Sequence, residues 1–75
     1  MKILRIDGCD VHEKSVRVVC SGIGTREEGV KEIVRLAREK ARSTPNDPHV
    51  DQSGPDEVSV FIGIYRIVSF RLVVE

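Results

Sequence analysis

Residues 25–42 read TREEGVKEIVRLAREKAR, and this stretch decides the fold. Thr25 stands where an N-cap belongs, and Glu28, three residues on, completes a capping box. Glu27, Glu28 and Glu32 lie toward the start, while Arg35, Arg38, Lys40 and Arg42 lie toward the end. That order complements the helix dipole. Val30, Ile33, Val34, Ala37 and Ala41 recur at helical spacing as one apolar stripe, flanked by Leu36. Glu27 and Lys31 are spaced for an i,i+4 contact worth about 0.2–0.5 kcal/mol. Pro45 stops the helix. One amphipathic helix needs one apolar surface to lie on, and the rest of the chain must supply it.

Strands can. Val and Ile total 19 against three Leu, a bias toward β-structure. Lys2 to Asp7 reads as a strand, Asp7-Gly8 as a turn signal, Cys9 to Lys14 as a polar connection, and Ser15 to Cys20 as a second strand. Adjacent short strands usually pair, so these two predict a hairpin. After the helix, Val58 to Glu75 reads VSVFIGIYRIVSFRLVVE. As one strand it would run on the order of 60 Å, about twice the breadth of so small a domain. It must turn, bend or extend onto a partner. Its even positions are apolar with Arg66 the one exception, and Gly63 to Arg66 is the expected place for a turn or bulge. The expected fold is therefore α+β, in the order ββαββ, with one helix packed on a small, mainly antiparallel sheet. Residues 1–75 form a single domain on this reading, and 44–57 an acidic, proline-rich loop.

Charge sharpens that last segment. The chain has 12 basic and 12 acidic residues and no net charge. Residues 44–57 nevertheless carry −4, from Asp47, Asp51, Asp56 and Glu57, whereas residues 1–43 sum to +3 and residues 58–75 to +1. Closure of the acidic segment over the body is the expectation that follows.

Composition also excludes several classes. No apolar run reaches the roughly 18–20 residues of a membrane span. The opening residues meet charge at once, unlike a signal peptide, so the cytoplasm is the expected compartment. Cys9 and Cys20 are too few for a disulfide framework and are expected as reduced thiols. Neutral charge, and a basic helix face (Arg35, Arg38, Arg42) without interleaved aromatics, argue against nucleic acid. Few side-chain amides and many ionic groups fit a thermophilic source.

Cys20-Ser21-Gly22-Ile23-Gly24-Thr25-Arg26 leaves a strand and opens the helix. Its glycines allow a ligand close to the backbone, and a helix N-terminus offers free N–H groups to an anion. Gly22, Gly24, Thr25 and Arg26 are therefore the candidate ligand-binding residues, with a small anion as ligand. The Cys-x5-Arg spacing resembles the phosphate loop of protein tyrosine phosphatases. That resemblance implies Cys20 as nucleophile, Arg26 as phosphate clamp and, through Asp47-Pro48, Asp47 as general acid. Glu27 stands where that family usually has a hydroxyl residue. A second likeness covers about residues 16–75. Gly24-Thr25 opening a helix and the final Ser69-Phe70-Arg71-Leu72 resemble dodecins, small flavin-binding homododecamers. The tryptophan on which that family stacks its flavin is missing here.

Two clusters hold metal-capable side chains, Cys9/Asp10/His12/Cys20 and Asp47/His49/Asp51. Neither has the paired spacing of a zinc site, so neither a metal nor a cofactor is expected. Tyr65 and Arg66 suit an interface or mark the last turn. The reading as a whole is a binding module, with a minimal Cys-dependent phosphatase-like enzyme and a dodecin-like flavin-binding protein as the alternatives. It assembles as a homo-oligomer through the C-terminal apolar strand region, because one helix stripe cannot cover so much apolar surface.

Overall fold

The helix forms as its capping signals dictate. A computed structural model describes residues 4–10 and 14–74, and in it α1 spans Arg26–Arg42. Thr25 is the N-cap, with its hydroxyl accepting from the Glu28 backbone N–H at 3.2 Å. Ser43 is the C-cap. The intrahelical ion pairs join Arg35 to Glu32 and to Glu39. Among the described residues, the expected Glu27–Lys31 contact is not made.

Two strands precede the helix and three follow it. They are β1 (Leu4–Asp10), β2 (Ser15–Ile23), β3 (His49–Gly54), β4 (Glu57–Ile62) and β5 (Tyr65–Val74). All pair antiparallel in one sheet of order β2-β1-β5-β4-β3. The molecule is thus the expected single α+β domain, with one helix against one antiparallel sheet. One expectation changes, and the expected turn in the C-terminal stretch is found. The segment 44–57, read as a loop, contains β3, so the order is ββαβββ. The strand in it was hidden because HVDQSG is polar and lies at a sheet edge, where no apolar alternation is required. The C-terminal stretch turns at Gly63-Ile64, where Ile62 faces Tyr65 across a two-residue loop and Gly63 takes φ +61°. β5 then runs through the middle of the sheet, paired on both sides by β1 and β4. Both edges of β5 are therefore paired within the chain.

The core lies between α1 and one face of the sheet. Leu4 and Ile6 of β1, Ile23 of β2, Val58 and Val60 of β4, and Val68, Phe70 and Leu72 of β5 bury there against Ile33 and Ala37. The helix stripe is centred one position from the expected line. Gly29, Ile33 and Ala37 are fully covered, whereas Val30, Val34 and Ala41 are only half-buried. Gly29 makes the closest approach: a Cβ there would stand 2.5 Å from Leu72 Cδ1 and 2.8 Å from Cδ2.

Irregularities in the ladder aim side chains. Val60 faces Val68, but Phe61 faces Arg66, so Ile67 is an extra residue in β5. This bulge explains the one break in the even apolar pattern. Without it Arg66 would point at the helix layer, whereas with it Arg66 shares the opposite face with Phe61.

Candidate binding surfaces

Three places were marked by the sequence or by the fold: the helix-opening turn, the edges of the sheet, and the sheet face away from α1.

At the helix-opening turn, pairing of β2 with β1 continues to Ile23, opposite Leu4. Only Gly24 and Thr25 are left to connect strand and helix. Gly22 sits in β2 with φ +78°, at an irregular stretch of the ladder. Cys20 is a strand residue opposite Ile6, half-buried and packed against the core. The Thr25 hydroxyl is spent on the cap. Arg26 Nε donates to Asp56 Oδ1 at 2.6 Å, and its Nη2 to the Pro55 carbonyl at 3.2 Å. The acidic segment therefore does meet the turn, through Pro55 and Asp56 at the β3–β4 connection. Asp47 is elsewhere. It lies exposed, with φ +57°, just beyond the C-terminal end of α1. Seventeen helical residues span roughly 25 Å, so Arg26 and Asp47 stand at opposite ends of the helix. Gly22, Gly24, Thr25 and Arg26 are brought together, and Cys20 is near them along β2. Asp47 is not brought to them.

The cysteines also part. Cys9 pairs with Val16 and faces away from α1, while Cys20 faces the core. Both are free thiols. His12, of the Cys9/Asp10/His12/Cys20 cluster, lies outside the described residues. Among the described residues no group of three metal-capable side chains gathers. His49 is instead stacked on Phe61, ring centroids 5.5 Å apart. No helix among the described residues is long and apolar enough to cross a membrane.

The two sheet edges differ. β3 is short, flanked by Pro48 and Pro55, and carries Asp51. Asp51 Oδ1 accepts from the Gln52 backbone N–H at 2.9 Å, which occupies a donor an incoming strand would need. Charge, proline and short length are the usual guards of an edge. β2 is nine residues long, SVRVVCSGI, with one charge, Arg17. Val16 and Val18 are 66% and 56% exposed on it. Its register with β1 is regular from Ser15 to Val18 and irregular beyond, where Gly22 also bends the chain.

On the sheet face away from α1, alternation places Arg5, Asp7 and Cys9 of β1, Ser69 and Arg71 of β5, and Glu57, Ser59 and Phe61 of β4. Ion pairs organise this face. Arg5 Nε donates to Asp7 at 3.0 Å. Glu57 Oε2 accepts from Arg71 Nη2 at 2.9 Å and Nε at 3.1 Å, and Oε1 accepts from the Ser53 hydroxyl at 2.7 Å. Arg66 Nη1 stands 3.9 Å from the same carboxylate. The Ser53 hydrogen bond, then Arg71 and Arg66, hold the Glu57 carboxyl below the usual glutamate range despite partial burial. Ser53 and Ser59 share a further hydrogen bond of 2.8 Å. Ser69 and Arg71, from the dodecin-like tetrapeptide, are on this face, and Phe70 and Leu72 are in the core. Sequence reasoning missed this network, although the break at Arg66 was its one visible signal.

Comparison with protein-family models, with curated proteins and with solved structures finds no match to this chain.

Proposed function

We propose that the protein is a self-associating binding module in which two copies join along β2 to make one continuous sheet. The observation that carries this reading is the contrast between the edges: β3 is guarded by Asp51 and two prolines, and β2 presents Val16 and Val18 with nothing over them. An edge strand carries a row of free backbone donors and acceptors, and a second copy satisfies them. A two-fold axis makes that joint closed rather than fibrous. Setting Val18 opposite the partner's Val18 keeps the two Arg17 side chains from facing each other, and like charges directly opposed would destabilise. The small core supports the same reading, since a domain of this size gains only about 3–5 kcal/mol from one core and is commonly reinforced by association.

Size-exclusion chromatography with light scattering tests it. The full chain is expected to elute at twice its 8.4 kDa mass at micromolar concentration. Val18→Lys, which sets two ammonium groups across the axis, is expected to give a folded monomer. Wild-type protein that is monomeric throughout the micromolar range would overturn the proposal.

A further inference from the structure

We infer that the α1 side of the molecule binds the phosphate backbone of a nucleic-acid duplex, without reading its sequence, through Arg17, Lys31, Arg38, Lys40 and Arg42. The zero net charge of the chain argues against such a partner only while its two sides are added together. They are unlike. On the sheet face away from α1 the arginines are committed, Arg5 to Asp7 and both Arg66 and Arg71 to Glu57.

On the α1 side the pattern reverses. Arg17, Lys31, Arg38, Lys40 and Arg42 are all exposed, and none of them pairs with a carboxylate among the described residues. The acidic residues between Lys31 and Arg42 are Glu32 and Glu39, and Arg35 takes both. Asp10 shares a hollow with Arg17 and Lys40, so five cations less one carboxylate leave a surplus of four. Glu27 and Glu28 lie in the first turn, toward the other end of the helix. Lys31, Arg38 and Arg42 line one groove along α1, spread over about 16 Å of its axis. Arg17 and Lys40 flank the helix on its β2 side. A duplex offers a phosphate charge about every 1.7 Å of its length, so this surface meets several at once.

What accompanies these cations decides the partner. None of the large exposed apolar side chains lies on α1, whereas a helix that settles into a membrane surface needs such residues to bury among the lipids. The helix also carries no aromatic residue. Single-stranded nucleic acid is held largely by bases stacked on aromatic rings, and a protein partner by aromatic anchors in pockets. Cations without either device meet phosphates alone. Phosphate contacts position a duplex and carry no sequence information.

The surface lies within one copy and stands whether or not β2 joins two of them. Fluorescence anisotropy of the full chain tests it, with a labelled duplex, its single strand, anionic vesicles and polyglutamate as separate probes. Saturable binding to the duplex is expected at low salt, equally for unrelated sequences. With about four phosphates neutralised, raising salt from 50 to 200 mM should weaken it roughly a hundredfold. Arg38→Gln and Arg42→Gln should each weaken binding for every sequence and lower the salt slope by about one. Their side chains are exposed, so circular dichroism should stay that of the wild type. Arg5→Gln, on the opposite face, should bind as the wild type does. No saturable duplex binding at low salt would overturn the inference. So would tighter binding of the single strand, of vesicles or of polyglutamate than of the duplex, or undiminished binding in both helix variants.

Discussion

Gly29→Ala should change sign with its background, and that makes it a strict test of how α1 lies on the sheet. In an exposed helix this substitution gains about 1 kcal/mol, because alanine loses less backbone entropy. Here the new methyl would stand 2.5 Å from Leu72 Cδ1, 2.8 Å from Cδ2 and 3.2 Å from Cγ. Leu72 is itself buried at 8% exposure and cannot swing into solvent. Overpacking of this kind costs about 1–3 kcal/mol. The net expectation is a loss of up to about 2 kcal/mol, a large share of a total near 4–11 kcal/mol for a chain of this length. Leu72→Val withdraws the δ-carbons and costs about 1 kcal/mol by itself. In that background Gly29→Ala should become stabilising. Urea unfolding of the four proteins, with unchanged m-values, gives the coupling, expected at about 1–3 kcal/mol. A gain of about 1 kcal/mol in both backgrounds would refute the close approach of Gly29 to β5.

Other perturbations have equally definite outcomes. Thr25→Ala should cost about 1 kcal/mol by orphaning the Glu28 amide, read by thermal unfolding. Ile33→Ala, at 1% exposure in the core, should cost about 2–5 kcal/mol and leave much of the protein unfolded, visible by circular dichroism. Glu57 has a folded pKa below its unfolded one, so its contribution is complete above the usual glutamate pKa near 4.3 and is lost as pH falls through the folded value. Glu57→Gln should therefore be less stable than wild type at pH 7, with the gap closing in acid. Breaking the Arg26–Asp56 pair with Asp56→Asn should cost under about 1 kcal/mol, since both side chains are largely exposed, and raised salt should shrink that difference.

How much of this was written legibly in the sequence differs by residue. Helix boundaries were clear because Thr25, Glu28 and Pro45 act locally, each through its own neighbours. The helix stripe was misplaced by one position because glycine has no side chain to register in an apolar pattern, so Gly29 gave no sign of being the closest contact. β3 was missed for the opposite reason. Its polar residues serve an edge, and edge protection looks like a loop when read along the chain. Cys20, Arg26 and Asp47 illustrate a different limit: spacing along the chain showed the first two near one turn, but the length of α1 separates Asp47 from them. Arg66 stood out as a break in alternation, yet only the Ile67 bulge decides which face it takes.

Concentration-dependent hydrogen exchange on the full chain addresses the joint along β2 most directly. Amides of residues 15–19 are expected to gain protection as the protein is raised from nanomolar to high micromolar concentration, while those of β3 (residues 49–54) stay unchanged. Exchange in β2 that is fast and independent of concentration would contradict the edge-to-edge account.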